Sequence, residues 1–376
     1  MAEPAISTEV DTRLNLLGLD QAALRSLFTE MGDKPFRVTQ LMKWMYHSHI
    51  DQFDDMSNFG LRLRQTLNET AKIQGLGTQF EGISADGTIK WLFVLEGGNA
   101  IETVFIPDKE RGTLCVSTQV GCALDCSFCA TARQGFNRNL TTAEIIGQLW
   151  TASERLRALY PNAERRITNV VIMGMGEPLA NYANLVPALN LMVDDLAYGL
   201  SKRRVTVSTS GIVPKIDALK ADCDVALAVS LHAPNDELRD ELVPINKKYP
   251  IAQLMDACER WVQRDRKTHV MFEYVMLNEV NDHPEQARQL AKLLKKLPCK
   301  LNLIPFNPFE GSGYTVSPQK RIDRFWEILT EAGIRTTMRR TRGDDIDAAC
   351  GQLAGKVEDK SRRSRKFEQP RFGEQK

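Results

Sequence analysis

From residue 113 onward, short apolar runs alternate with stretches whose apolar residues recur every three to four positions, the signatures of buried strands and of amphipathic helices. Six runs qualify as strands, at 113–117, 169–174, 204–209, 224–231, 269–277 and 300–306. Among the helical stripes, Ile145, Leu149, Ala152, Leu156 and Leu159 form one, opened by the capping box Thr141-Thr142-Ala143-Glu144. Ala287, Leu290, Leu294 and Leu297 form a second, and Ile322, Phe325, Leu329 and Ala332 a third. Strict alternation of strand and helix predicts parallel βα units joined by right-handed crossovers. Six units are too few to close an eight-unit barrel. The α/β fold expected is a partial six-unit (β/α) barrel, open on one side to admit a bulky substrate.

Upstream, the period changes twice. Residues 76–106 alternate with period two around turns at Asp86-Gly87 and Gly97-Gly98-Asn99, which predicts a small three-stranded β-meander. Residues 12–72 read as a helical unit. Asp20 caps a helix bearing Leu24, Leu27 and Phe28, Gly32-Asp33-Lys34-Pro35 breaks it, and a second helix turns Leu41, Trp44 and Met45 inward. Lys34, Arg37, Lys43 and His47 give that second helix a modest basic face, read more simply as solvated than as an RNA contact. The division expected is an N-terminal helical accessory domain at 1–75, a β-meander linker at 76–110, the partial barrel at 111–340, and a loop with a basic tail at 341–376.

Composition narrows the class. At 376 residues with 43% apolar side chains, the chain can bury a substantial core. Its first residues lack a basic n-region and an apolar h-region, and no apolar run approaches the roughly 20 residues of a membrane span, so a cytoplasmic protein with no membrane partner is expected. Eight cysteines in a reducing compartment should then be free, metal-bound or catalytic. A net charge of +1 does not advertise a nucleic-acid binder. The tail is locally basic, with Lys356, Lys360, Arg362, Arg363, Arg365, Lys366, Arg371 and Lys376 against Glu358, Asp359, Glu368 and Glu374. It could touch phosphate or be a solvated end.

The candidate chemistry centres on Cys122, Cys126 and Cys129, three thiols in one short loop at Cys-x3-Cys-x2-Cys spacing. Thiolates are soft ligands for zinc, copper(I) or iron-sulfur clusters. A four-iron cluster that only carries electrons takes four ligands, whereas three leave one iron open to chelate a small molecule. A zinc site of three cysteines and a histidine is weaker, because zinc sites usually pair Cys-x2-Cys with a second pair and the nearest histidines in sequence are His49 and His232. A disulfide is weaker still. The other unusual residues fall at or just beyond strand ends, the catalytic rim of such a barrel: Gly174-Met175-Gly176-Glu177-Pro178, Ser208-Thr209-Ser210-Gly211, Ser230-Leu231-His232 and Asn307-Pro308. Each alone has an ordinary explanation, strand-end capping for Ser208 and Ser230 and a satisfied core position for His232. Glu102 shares a strand face with Val104 and Ile106, where a carboxylate is costly unless paired or employed. A salt-bridged glutamate is the default there and a general base the sharper reading.

The cysteine spacing resembles the signature of radical S-adenosylmethionine (SAM) enzymes. Nearly the whole chain resembles the bacterial radical SAM dual-specificity methyltransferases that modify carbon 2 of adenine in 23S ribosomal RNA and transfer RNA. The most specific pieces are Cys115-Val116-Ser117-Thr118-Gln119-Val120-Gly121-Cys122, Ser201-Lys202-Arg203-Arg204-Val205-Thr206, Ser230-Leu231-His232-Ala233-Pro234-Asn235-Asp236, and the run from Thr341 through Cys350 to Leu353. The resemblance implies a radical SAM type of partial barrel, with Cys122, Cys126 and Cys129 holding one 4Fe-4S cluster. It implies that Gly176, Glu177, Ser208, Ser230, Leu231, His232 and Asn307 contact SAM, used twice per turnover. It further implies that Cys350 becomes S-methylated, that Cys115 assists turnover and that Glu102 accepts a proton. The implied partners are 23S rRNA, tRNA and an electron donor of flavodoxin or ferredoxin type, and a monomer is expected. Cys350 follows the turn-prone acidic stretch 344–347 and is expected on a mobile loop. Two competing readings are a sibling enzyme acting on carbon 8 of the same adenine, disfavoured by Val120 and Ala123-Leu124, and a zinc protein bound to ribosomes.

Overall fold

The structure, a computed structural model, describes residues 11–162, 167–263 and 268–364. The first ten residues and the tail from Arg365 onward, including the basic positions 365, 366, 371 and 376, lie outside the described residues.

In chain order the strands are β1 (Leu14–Asn15), β2 (Ala71–Lys72), β3 (Gly77–Ile83), β4 (Ile89–Val94), β5 (Ala100–Asp108), β6 (Arg111–Cys115), β7 (Gln119–Gly121), β8 (Phe136–Asn139), β9 (Asn169–Ile172), β10 (Val205–Thr209), β11 (Ala226–Ser230), β12 (Val270–Met276), β13 (Cys299–Pro305) and β14 (Thr336–Met338). The six strands expected from periodicity form as β6 and β9 to β13, all parallel, and a short seventh, β14, joins their far edge beside β13. The meander is also present as β3, β4 and β5. It does not stand apart, because β5 pairs antiparallel with β6 and the whole becomes one ten-stranded sheet in the order β14-β13-β12-β11-β10-β9-β6-β5-β4-β3.

Helices bury their apolar stripes on this sheet. Helix Thr142–Leu159 is opened by the full capping box expected at Thr141 and Glu144. It sends Gln148 into the interior, where Oε1 accepts from the Thr103 hydroxyl and the Ser117 amide at 2.8 Å each and Nε2 donates to the Ser117 carbonyl at 2.8 Å. One amide side chain thus ties the meander to the first loop of the barrel, leaving none of its own polar atoms unsatisfied. The N-terminal helices Gln21–Glu30, Phe36–Met42 and Leu61–Thr70 pack around Leu24, Phe28, Leu41 and Leu67, closed by the β1–β2 pair. Asp20 accepts from the Ala23 amide as an N-cap. Trp44 is only half-buried and donates to Asn58, and Arg37 turns to Asp33, Gln40 and Asn58 of its own unit. Tyr46 meets Trp150 edge to face, so the core runs without a break from the N-terminal unit into the barrel. Among the described residues no helix is long and apolar enough to cross a membrane.

Candidate active site

The cysteine loop hangs between β7 and β8, a short antiparallel ribbon. Its entry is fixed by the Cys122 amide donating to the Gly135 carbonyl at 2.8 Å, and its exit by the four-residue helix Ala130–Arg133. Phe128 and Cys126 pack on a small apolar cluster of Leu242, Val243, Val275, Leu277 and Phe306. Burial pushes the Cys126 thiol up to about 12, and burial followed by repulsion from Cys126 and Cys129 lifts Cys122 well above its ordinary value. The three sulfurs therefore share one neighbourhood. Among the described residues no three His, Cys, Asp or Glu side chains converge tightly enough for a single metal ion. A cubane asks for something wider, since each thiolate takes its own iron. Three soft donors beside the Leu124 amide, 3.4 Å from the Cys122 sulfur, suit such a cluster.

Against this loop lies a cavity of about 150 Å³ at the C-terminal ends of β9 to β12, lined by Cys129, Gly176, Glu177, Ser208, Ser230 and His232 among others. Five of the seven residues expected at a SAM site are therefore in one place. Gly176, at φ +100°, brings its backbone against Gln119 so closely that a Cβ would lie 2.9 Å from the Gln119 nitrogen. Glu177 knits two strand ends, accepting from the Thr209 hydroxyl and the Ser210 amide at 2.8 Å each. Burial raises its carboxyl, which these hydrogen bonds oppose. His232, at φ +60°, accepts the Val275 amide on Nδ1 at 3.0 Å, which leaves Nε2 as the protonated nitrogen. Burial and then Arg239 push its pKa down to about 3, so the ring is a neutral donor.

The other two expected residues lie elsewhere. Leu231 is fully buried below the cavity. Asn307 faces a second cavity of about 440 Å³, bounded by Cys115, Arg339, Arg342 and Cys350. It donates to the Cys350 carbonyl at 3.0 Å, and the Ala130 amide holds the next carbonyl, Gly351, at 2.9 Å. The segment expected to be mobile is thus anchored on both sides of the barrel mouth, with Asp345 bonded to Ser84 at the meander turn. Burial pushes Cys115 up to about 12, with Cys350 adding to it. Burial also raises Cys350, which the cationic Arg339 counters. Glu102 is buried with Oε1 3.1 Å from the Lys90 ammonium and Oε2 accepting from the Ala354 amide at 2.9 Å. It is salt-bridged, and it is not among the residues lining either cavity.

Three further residues shape the site without having stood out in the sequence. Glu273, in mid-strand, accepts from Ser208 at 2.9 Å and lies 3.7 Å from Arg339. Arg239 is fully buried and donates to the carbonyls of Ser210, Ser230 and Leu231, holding the ends of β10 and β11 in register. Arg363 reaches the cysteine loop from the C-terminal segment.

Comparison with known proteins matches residues 14–73 to the ribosomal RNA large subunit methyltransferase N-terminal domain and residues 116–291 to the radical SAM superfamily. The chain is 55% identical over 356 residues to the dual-specificity RNA methyltransferase RlmN of Marinobacter nauticus, covering 94% of this chain and 96% of that one. It is 54% identical over 362 residues to RlmN of Alcanivorax borkumensis, covering 96% and 95% respectively. A solved radical SAM methyltransferase from Sphaerobacter thermophilus superposes with a TM-score of 0.84 at 42% identity, over 90% of this chain and 99% of that one.

Proposed function

We propose that this chain, which belongs to the RlmN family of dual-specificity RNA methyltransferases, methylates carbon 2 of adenine 2503 in 23S rRNA and of adenine 37 in tRNA, with Cys350 carrying the methyl group. That it is a radical SAM RNA methyltransferase follows from its relatives and its radical SAM domain. The observation that carries the finer reading is the position of Cys350, which lines both the small cavity beside the cysteine loop and the large one it shares with Cys115. One cysteine thus borders both the place for a methyl donor and the place for a substrate.

Carbon 2 of adenine lies between two ring nitrogens and is too electron-poor to attack a methyl sulfonium as a nucleophile. Bound to Cys122, Cys126 and Cys129, a 4Fe-4S cluster would supply, from SAM, a radical able to take hydrogen from a methyl group. Cys350 receives the methyl on its sulfur, which requires its thiolate. Arg339 favours that form against the burial that disfavours it. Gly176 and Glu177 line the place for SAM, Ser230 and His232 offer hydroxyl and Nε2 donors there, and Ser208, whose hydroxyl goes to Glu273, lines it beside them. The carbon-2 proton goes either to Glu102, once it leaves Lys90 and the Ala354 amide, or to Cys115, which already lines the larger cavity. Cys115, in the same cavity as Cys350, attacks the Cys350 sulfur, forming a Cys115–Cys350 disulfide as the bond from that sulfur to the RNA-borne carbon breaks. The electron pair leaves with that carbon, which takes a proton to become the methyl group. The adenine enters unstacked, at a cost of a few kcal/mol that favours loops over duplex. A flavodoxin or ferredoxin would deliver the electrons, to a monomer in the cytoplasm.

The test is anaerobic reconstitution followed by nucleoside mass spectrometry on both RNAs. Cys350→Ala should abolish 2-methyladenosine while retaining iron, and Cys115→Ala should leave protein attached to RNA as a slow band on a denaturing gel. That band should vanish in the double variant. Normal methylation by Cys350→Ala, or 8-methyladenosine as the product, would overturn the reading.

A further inference from the structure

The chain returns to its cysteine loop at the C-terminal end. Lys356 offers its carbonyl to the Ala100 amide at 2.8 Å, Glu358 donates its amide to Asn99 at 2.9 Å, and Lys360 donates to the Phe136 carbonyl at 3.0 Å. The segment therefore crosses from the rim of the meander to β8. Asp359 makes the turn that follows. Its carboxylate accepts from the amides of Ser361 and Ser364 at 2.8 Å each, from both of their hydroxyls, and from the Phe136 amide at 3.1 Å. Although burial opposes it, this set of donors holds the carboxyl well below the usual carboxylate range. Gly135, at φ +79°, leaves the room, since a Cβ there would sit 2.1 Å from an Asp359 oxygen. The carbonyl of that same glycine receives the Cys122 amide.

The turn aims Arg363 at three successive carbonyls. Its guanidinium donates to Cys122 at 3.2 Å, to Ala123 at 3.2 Å and to Leu124. Its positive charge lies beside the loop. A trans peptide places C=O and N–H on opposite sides. Drawing the Ala123 carbonyl outward therefore turns the amide of the same peptide, that of Leu124, inward, and this amide lies 3.4 Å from the Cys122 sulfur.

We propose that Arg363 is a positioning residue for the cluster: it holds the carbonyls of residues 122–124 outward, aims the Leu124 amide at the Cys122 sulfur, and so sets how firmly the cluster is retained and at what potential it is reduced. The inference rests on the reading that Cys122, Cys126 and Cys129 hold that cluster. Hydrogen bonds to cluster sulfurs and nearby charge set reduction potential, and outer-shell partners of metal ligands typically govern affinity by about 10- to 100-fold. The residue lies 241 positions from the cysteine it serves.

The experiment compares anaerobically prepared full-length parent, Arg363→Ala, Arg363→Lys and Asp359→Asn. It reads iron release to a chelator, the cluster potential by spectroscopic titration, and hydrogen exchange of the 123–125 amides in the metal-free proteins. Arg363→Ala should release iron about tenfold faster, shift the potential more negative and speed exchange. Arg363→Lys should keep the charge yet recover retention only in part, because a single compact ammonium nitrogen does not reproduce the planar, two-nitrogen fork that spans the three carbonyls. Asp359→Asn should move each readout the same way by less. Unchanged release, potential and exchange in Arg363→Ala would overturn the proposal. A parent that binds no iron would defeat the cluster reading itself. Faster exchange in that case would leave only a loop clamp and likewise overturn the proposal as one about a cluster.

Discussion

Replacing Gly176 by alanine adds a single methyl group to the lining of the small cavity. The backbone there has φ +100°, and the new Cβ would stand 2.5 Å from the Gln119 Cβ and 2.9 Å from the Gln119 nitrogen. The conformation alone costs a side-chain-bearing residue about 1–3 kcal/mol, and forcing a methyl into packed surroundings about 1–3 kcal/mol more. Gln119 cannot yield cheaply. Its Oε1 accepts from the amides of Ala123 and Glu177 at 3.0 Å each, so it couples the cysteine loop to the glycine turn. A penalty of about 2–6 kcal/mol must therefore appear in the turn, in Gln119 or in both. At about 1.4 kcal/mol per tenfold, the lower bound predicts at least about thirtyfold weaker SAM binding by calorimetry if the turn yields. If the fold absorbs the cost instead, the melting temperature falls by several degrees. Iron content, followed in parallel, should stay near the parent's. Gly176→Ala that binds SAM within threefold of the parent and melts at the same temperature would refute the argument.

Alanine at any one of Cys122, Cys126 or Cys129 should reduce bound iron and abolish SAM cleavage together, and stoichiometric zinc with negligible iron in the parent would sink the assignment. Stability should also fall at high pH. Burial pushes Cys258 up to about 12, and burial with Cys350 nearby does the same to Cys115, against an ordinary 9.0. The folded state keeps protons that the unfolded chain releases, so this stability is complete below about pH 9 and drains away as pH rises toward 12. Urea midpoints between about pH 8 and 10.5 should decline, less steeply in Cys258→Ala, and a flat profile would contradict the cause given.

What was legible in the sequence was local. The cysteine spacing needs only eight residues to be read, and the strand ends followed from runs long enough to show a period. Gly176, Glu177, Ser208, Ser230 and His232 share a cavity because each lies at or just beyond the C-terminal end of its strand. Asn307, just beyond the end of β13, lines the larger cavity, while its neighbour Phe306 lines the smaller one. Leu231 points the other way from its neighbours on alternate sides of the chain and goes into the core. Glu102 illustrates the limit of face arguments: the pleat put it beside Val104 and Ile106, and only the fold supplied Lys90 and Ala354. Arg239, Glu273 and Arg363 were illegible. Their partners lie as far as 241 residues away in sequence, and an arginine in a helix or tail reads as solvated until the carbonyls it holds are known. The tail drew attention through its charge alone, whereas its first nine residues, 356–364, act through backbone contacts, the Asp359 carboxylate and one guanidinium. β14 was missed because three residues carry no measurable period.

In the ten-stranded sheet, every spatial neighbour is also the next sheet strand in sequence, the β7–β8 ribbon being the one interruption. During synthesis such a sheet can grow at one edge, each new strand docking on the last to leave the ribosome, without waiting for a distant partner. The cysteine loop is translated long before its clamp, which lies 241 residues after Cys122. Translation thus builds the nest first and fastens it much later, so a nascent chain carries its three thiols unclamped while the intervening strands are made.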